Sequence, residues 1–371
     1  MEIIVAGVVA LAVVVWLLTR KRQTPGSQRP AAPGRPDAPA AHSQRPTSEG
    51  VTTTTAPFQV AVVPDEVQAL QSRPVAAVAD ADWMQRLRDI PRPPRALQQL
   101  TSPTFLQKAT SVELADLVLS EPHIAAKVLA TVNSPLYGLR TPVAHIGQGI
   151  TFLGLNTVRS ICLRYLLNEA FPAASGELRP VFDRLWIASA VGSELCAKLS
   201  QKLGMSQGGV MVTQIVLSYL GPMAALTVMP LEKARALAAA PLITRTQVER
   251  DTLGMSGAEI GRRVMTDWGL PESVVQSVSD MDHMLDTPIA QPSSDWTATA
   301  LSYWCARMGE RMARGELTHP DALSQWYADT HLDTAIACHY LRQTLGDRLT
   351  AALQDPVVSP LMASAIDRPA H

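Results

Sequence analysis

The chain has 371 residues, of which 47% are hydrophobic and only 5% aromatic, and its formal net charge is -1. The length predicts about two domains, or one large domain with tails. The balanced charge excludes the strongly basic surface typical of nucleic-acid-binding proteins, so no nucleic-acid partner is expected. A core of Ala, Leu and Val with few aromatic residues favours helices over strands.

The N-terminus carries an apolar run, Ile3 to Leu18, followed at once by Arg20-Lys21-Arg22. A bilayer core needs a helix of roughly 20 apolar residues, and basic residues stay on the cytoplasmic side. A secretory signal peptide would place its basic residues before the apolar run. We therefore expect residues 1–22 to be a single-pass anchor in the inner (cytoplasmic) membrane, with residues 3–19 in the bilayer and the rest of the chain in the cytoplasm.

Residues 23–81 have the composition of a linker, with repeated Pro, Ala, Ser and Thr. Such a segment buries too little apolar surface to offset its chain entropy, so we expect a disordered tether. Within it, Phe58 to Val63 alternates weakly between apolar and polar residues. This stretch is interpreted as the least polar part of the tether, and docking as a strand or on a partner is the alternative.

The body reads as successive helices, and no useful strand pattern appears, so the fold class is all-α. Thr110 with Glu113 and Ser256 with Glu259 form capping boxes at helix starts, and Asn156 is expected to cap a third helix. We expect a helical domain at 82–285 and a C-terminal helical extension at 286–371. The helices predicted in the second half are Leu178–Leu203, Val210–Leu226, Leu231–Ala239, Arg245–Leu253, Ser256–Trp268, Pro271–Val278, Trp296–Ala313, Pro320–Tyr327 and Leu332–Leu353.

Two segments carry a recognisable spacing. In the first, a helix ends at Asn133-Ser134-Pro135, because the residue before a proline is pushed out of helical geometry, and Leu136-Tyr137-Gly138 follows. The helix restart Ile146 to Leu153 then ends at Gly154. The second segment is Asp267-Trp268-Gly269-Leu270-Pro271.

These segments resemble the HDOD family, all-helical bacterial domains related to HD phosphohydrolases but usually without their metal chemistry. The resemblance covers roughly Leu87 to Leu285. It implies an HD-like helical bundle with a signalling or regulatory role. The positions that match the family pattern are Asn133, Ser134, Tyr137, Gly138, Leu153, Gly154, Trp268, Leu270 and Pro271.

The same resemblance places three substitutions where metal-dependent HD enzymes carry ligands. Ala188 matches the first histidine, and Ser218 and Tyr219 match the His-Asp pair. A metal phosphohydrolase needs several His and Asp ligands around one or two ions, which these side chains cannot replace. We therefore expect no catalytic residue, no metal and no cofactor.

A fragment of a metal site remains conceivable around His283, with Asp280 or Asp282. Arg262-Arg263 and Arg245 with Arg250 could bind phosphate, including that of a nucleotide second messenger. The interpretation favoured for these arginines is a solvated helix face.

The leading hypothesis is a membrane-tethered, non-catalytic HDOD-like regulatory domain that binds a protein partner or a small ligand such as a nucleotide. One alternative is a degenerate or unrecognised metal-dependent HD-type phosphohydrolase. The other is an envelope-associated structural scaffold.

Overall fold

The computed structural model describes residues 58–72, 81–134, 137–171, 176–237, 240–317, 323, 325–355 and 358, all within one unit, Ala56–His371. The predicted anchor, residues 1–22, and most of the predicted linker lie outside these residues. Within the described residues every regular element is a helix, so the all-α prediction is confirmed.

The first half of the fold builds a small helical layer. Capping boxes at Thr110 and, later, at Ser256 are both formed, so these two predicted helix starts are confirmed. The predicted cap at Asn156 is wrong, because the N-cap is Gly154, two residues earlier, and Asn156 is the second residue of the helix. The helices of this half are α1 (Asp65–Ser72), α2 (Ala81–Arg88), α3 (Arg95–Leu100), α4 (Pro103–Lys108), α5 (Ser111–Leu119), α6 (Pro122–Val132), α7 (Ile146–Leu153) and α8 (Leu155–Asn168).

The second half surrounds two long helices that pack closely on each other. These are α9 (Arg179–Lys202) and α16 (Ser294–Ala313), and the contact between them is the most extensive in the fold. The remaining helices are α10 (Gly208–Ser218), α11 (Leu220–Val228), α12 (Leu231–Ala236), α13 (Leu242–Leu253), α14 (Gly257–Asp267), α15 (Glu272–Asp282), α17 (Ala335–Thr344) and α18 (Asp347–Leu353).

Glycine allows α9 and α16 to approach at backbone distance. A Cβ atom at Gly192 would lie 2.8 Å from the Cys305 carbonyl oxygen, and one at Gly309 would lie 2.4 Å from the Ala188 oxygen. Through α16, the predicted C-terminal extension therefore packs against the same core as α9.

One continuous stretch of α10 and α11, Gly208–Val228, is long and apolar enough to cross a membrane. Its most apolar window has a mean hydropathy of 1.5 and is 89% buried inside the protein. It is therefore the central core element of the second half, packed on α9, α14 and α15.

Two further predictions are corrected. The linker predicted at 23–81 contains α1, whose Val67 and Leu70 are fully buried, so this part is folded. The single helix predicted at Leu332–Leu353 is divided into α17 and α18, because Gly346 adopts a φ of 45°. A positive φ cannot continue a right-handed helix.

Candidate functional site

The positions predicted to replace HD ligands lie on two sides of one buried arginine. Ala188 lines a small cavity of about 30 Å³, and Ser218 lines a larger one of about 290 Å³. Arg245 contributes to the walls of both cavities. The structure thus brings Ala188 and Ser218 to the same region, with a guanidinium group between them.

Tyr219 points away from both cavities. Its side chain is buried, and its hydroxyl donates a hydrogen bond to the carbonyl oxygen of Ala306 at 2.9 Å. Burial raises the pKa of this phenol, with a further rise from Glu310. Tyr219 therefore stays neutral and joins the α10–α11 junction to α16.

The larger cavity is lined by the predicted position Ser218 and by many charged side chains. Its walls come from α10, α11, α13, α14, α15 and α16. A volume of about 290 Å³ lies at the lower end of the range for small-molecule sites. The charged side chains that line it are Arg245, Arg250, Arg262, Arg307, Glu249, Glu259, Asp282 and Asp286.

A buried carboxylate organises the arginines behind this cavity. Glu310 Oε1 lies 3.0 Å from Arg245 Nη2 and 3.1 Å from Arg307 Nη1, and its Oε2 lies 3.4 Å from Arg314 Nη1. Burial alone would raise the pKa of Glu310, but the three arginines outweigh it and hold the pKa at about 2. One ionised carboxylate is therefore shared by three guanidinium groups.

Two carboxyl groups in the cavity wall are less firmly ionised. Burial raises the pKa of Glu249 to about 7, and Arg245 and a hydrogen bond from the Gly257 N–H at 2.6 Å offset this only in part. Burial also raises the pKa of Asp282 to about 7, against the opposing effect of Arg307. Both carboxyl groups therefore hold a proton more firmly than exposed ones do, which leaves the arginine charge less fully balanced.

The arginines of the wall also retain unused hydrogen-bonding capacity. The Nε atoms of Arg245, Arg250 and Arg307 are buried and have no hydrogen-bond partner. Arg307 stacks on the Tyr303 ring at 5.2 Å, which fixes its plane. Buried donors without acceptors are uncommon in proteins, and water or a ligand can complete their bonding.

The residues around the cavity do not fit a divalent metal ion. Among the parts of the chain that the structure describes, no group of three or more His, Cys, Asp and Glu side chains could hold one. Of the predicted fragment, His283 and Asp282 reach the cavity, whereas Asp280 accepts a hydrogen bond from Gln276 on an exposed surface. The arginines would in addition repel a cation.

The interpretation of the arginines as a solvated face is correct for Arg262 and wrong for Arg245. Arg262 is exposed at the cavity rim, whereas Arg245 is 6% exposed and ion-paired with Glu310. Arg245 is buried because α13 packs on the core, which brings the first turn of that helix to α16. Arg245, Arg250 and Arg262 all line the cavity, so the structure brings together three of the four arginines considered for phosphate binding.

Sequence reasoning missed Arg307 and Glu310, which lie beyond the domain boundary predicted at residue 285. The spacing offered a weak signal, because residues 307 and 310 lie three apart on α16 and residue 314, the C-cap of that helix, lies four further on. Charged residues at that spacing share one face and indicate a buried ionic site or a solvated stripe.

The matched segment at Asn133 is structural. Its side chain accepts the Val143 N–H at 2.7 Å and donates to the Val143 carbonyl at 2.8 Å. The Ser134 carbonyl accepts the Tyr137 N–H at 3.2 Å, and Gly138 has a φ of 58°. These contacts close the loop after α6 and lie apart from the cavity, whose walls include none of them.

The other matched positions also shape helix ends. Leu153 is buried at the end of α7, and Gly154 has a φ of 87° between α7 and α8. Trp268 and Leu270 are buried core residues, and Pro271 is the N-cap position of α15. Through α15 the second segment positions Asp282 at the cavity.

A protein-family model matches just over half of the chain. The model of the HDOD domain matches residues 90–284. No curated protein gives a significant match. Among solved structures, an HDOD domain protein of unknown function from Geobacter sulfurreducens is 18% identical, with a TM-score of 0.53 over 76% of this chain and 97% of that one.

Two further structures are similar at low sequence identity. A candidate phosphohydrolase from Shewanella amazonensis is 18% identical, with a TM-score of 0.50 over 78% of this chain and 99% of that one. A candidate signal transduction protein from Marinobacter aquaeolei is 18% identical, with a TM-score of 0.47 over 81% and 65%. The likeness to the first two supports the helical fold. The family match spans more than half of the sequence, and the chain therefore belongs to the HDOD domain family.

Proposed function

We propose that the protein is a non-catalytic signalling domain that binds a small phosphate-bearing ligand, of the mononucleotide class, in the cavity between α13, α14, α15 and α16. The observation that carries the proposal is the pair of buried arginines, Arg245 and Arg307, in the wall that also holds Ser218. Guanidinium groups are suited to phosphate oxygens, since they offer paired N–H donors in a plane.

The carboxyl groups of the wall support a nucleotide over a simple anion. Glu249 and Asp282 can accept hydrogen bonds from ribose hydroxyls or exocyclic amines while the arginines hold the phosphate. The cavity volume of about 290 Å³ suits a ligand of mononucleotide size. Ligand occupancy would then shift the helices around the cavity and change a surface that a protein partner recognises.

The absence of a metal-ligand set within the described residues supports the non-catalytic part of the proposal. Hydrolysis by an HD-type enzyme would need an ion to activate water.

We further propose that the domain lies at the cytoplasmic face of the inner membrane, held there by residues 3–19, because Arg20-Lys21-Arg22 follows the apolar run. Fusion of a cytoplasm-specific and a periplasm-specific reporter to the C-terminus tests this topology.

Calorimetric titration with AMP, GMP, guanosine and inorganic phosphate tests ligand binding. We expect saturable 1:1 binding of at least one nucleotide, weaker binding of phosphate and none of the nucleoside. A hydrogen bond to a charged group contributes about 1.5–3 kcal/mol, so Arg307→Gln should weaken nucleotide binding by about 10- to 100-fold.

Arg314→Gln is the matched control. Arg314 also pairs with Glu310 but does not line the larger cavity, so this variant should keep its nucleotide affinity. Equal losses in the two variants would show that affinity follows the stability of the Glu310 cluster rather than contact with the ligand. Cation-dependent hydrolysis of a phosphate ester, abolished by a chelator, would contradict the proposal in favour of an enzyme.

A further inference from the structure

The N-terminal segment that precedes the domain is docked against two separate parts of it. Val67 and Leu70 of α1 are buried, at 0% and 2% exposure. Helix α1 packs on α13 and on the turn Leu332–Thr334. The segment therefore connects the helix that carries Arg245 and Arg250 with the C-terminal helices.

The upstream end of the segment is attached through polar contacts and one ring. The Gln59 N–H donates to Gln343 Oε1 at 2.6 Å, and the Gln59 carbonyl accepts from Gln343 Nε2 at 2.7 Å. His339 Nε2 lies 2.9 Å from the same carbonyl oxygen. The Phe58 ring meets the Tyr340 ring edge-on at 5.5 Å. Residues 58 and 59 are thereby fixed to α17.

One side chain belongs both to this docking contact and to the cavity. Arg250 Nη1 donates a hydrogen bond to the carbonyl oxygen of Leu70, and Arg250 also lines the cavity. Leu70 is among the last four residues of α1, whose carbonyls lack partners inside the helix. A cation at that end of a helix is favourable. Arg250 Nε has no hydrogen-bond partner.

We propose that ligand binding in the cavity weakens the docking of residues 58–72, because the Leu70 carbonyl and a phosphate group in the cavity compete for the Arg250 guanidinium. The docking of this segment would then signal to the residues before position 58 whether the cavity is occupied. The inference rests on the proposed function and adds its regulation. When a phosphate draws Arg250 into the cavity, α1 loses the donor that satisfies its C-terminal carbonyl, and the segment is held less tightly.

Because the two equilibria are linked, this competition can be measured either as the docking of α1 or as the affinity for the ligand. If a ligand weakens the docking of α1, then weakening the docking must strengthen ligand binding by the same factor. Val67→Asn puts an amide into the buried contact and should undock α1. Ala69→Asn places the same amide on the exposed face of α1 and is the matched control.

The experiment titrates AMP and GMP separately into the full chain and the two variants, with hydrogen–deuterium exchange of residues 58–72 as the second readout. We expect Val67→Asn to bind the nucleotide about fivefold or more tightly than the wild type, within the usual range of coupling between sites. Ala69→Asn should match the wild type. Exchange of residues 58–72 in the wild type should rise at saturating nucleotide.

The outcomes separate the two proposals. Nucleotide binding of equal affinity in all three proteins, with unchanged exchange of residues 58–72, would overturn the coupling and leave the binding function intact. Tighter binding in Val67→Asn together with faster exchange on binding supports the coupling. Failure of the wild type to bind either nucleotide would overturn the binding function and the coupling with it.

Discussion

Arg245 Nη2 lies 3.0 Å from Glu310 Oε1, although the two residues are 65 positions apart and both side chains are buried. The pair joins the first turn of α13 to the last third of α16. Arg245 lines both cavities, next to Ala188 and Ser218, the residues predicted to replace HD ligands. The same region of the fold therefore holds a fixed ionic cluster in this protein.

Glu310→Gln should be among the most destabilising substitutions in the domain. It leaves Arg245, Arg307 and Arg314 buried around a neutral amide, and loss of one partner from a buried ionic contact costs about 3–5 kcal/mol. Urea unfolding followed by circular dichroism measures the change. Glu316→Gln is the control, since Glu316 is exposed and pairs with Arg314 at the surface, where a salt bridge contributes about 0–1 kcal/mol. A similar loss in both variants would contradict the assignment.

The free energy of unfolding should fall as the pH rises from about 4.5 to 7. Burial raises the pKa of Glu249 and of Asp282 to about 7, so in this window the folded state holds protons that the unfolded state has released. Stability decreases with pH wherever the folded state binds more protons. Glu249→Gln with Asp282→Asn should flatten this slope in urea unfolding at several pH values.

The opposite sign applies at lower pH and provides the control. The pKa of Glu310 is held at about 2, so its contribution is present above the ordinary carboxyl pKa and is lost as the pH falls towards 2. The double variant should retain this acid loss. A wild-type slope between pH 4.5 and 7 that the double variant leaves unchanged would show that other groups dominate.

Metal removal should leave the protein unaffected. Because the described residues contain no group of three ligands, we expect purified protein to hold well under one equivalent of any transition metal by mass spectrometry. Excess EDTA should not shift the Tm. A Tm that falls with EDTA and recovers on addition of a divalent cation would indicate a site formed elsewhere in the chain.

Gly221→Ala should strain the contact between α11 and α14. A Cβ atom there would lie 1.9 Å from the Gly257 carbonyl oxygen, and this backbone cannot move aside without shifting α14. Overpacking of a core costs about 1–3 kcal/mol and sometimes more. Gly147→Ala is the control, because nothing lies within 4 Å and the helical exchange should stabilise by about 0.5–1 kcal/mol. Thermal unfolding compares the two, and an unchanged Tm for Gly221→Ala would disprove the close approach.

Asn133→Ala should weaken the loop between α6 and α7 without affecting nucleotide affinity. It removes both hydrogen bonds to Val143, each of which contributes about 0.5–1.5 kcal/mol. Ser134→Ala, which keeps both hydrogen bonds between Asn133 and Val143, should stay within about 0.5 kcal/mol of the wild type. Denaturant unfolding and calorimetric titration measure the two effects. Loss of nucleotide binding in Asn133→Ala would place this segment in the site rather than in the scaffold.

Local signals in the sequence were sufficient for most helix starts and for the family segments. The capping boxes at Thr110 and Ser256 depend on residues three positions apart, and both form. Helix α1 also carries a sequence signal for a helix start. Its first turn holds the acidic residues Asp65 and Glu66, and the apolar residues Val67 and Leu70 follow. The low-complexity composition of the surrounding segment obscured it.

The candidate site depends on contacts that no local pattern specifies. Arg245 meets Glu310 only because α13 and α16 fold together, and Arg250 meets Leu70 across 180 positions. Composition could identify these side chains as charged, but their burial follows from the packing of elements distant in sequence. For that reason the sequence alone predicts a solvated Arg245 and does not single out Glu310, although both side chains are buried.

The close approach of the Gly192 and Cys305 backbones determines which fragment of the chain can fold by itself. The match to the HDOD domain model ends at residue 284, yet a polypeptide ended there would lack α16 and would expose the face of α9 against which α16 packs. A fragment that folds independently must therefore include the C-terminal helices. A gene fusion that moves this domain into another protein must include them as well.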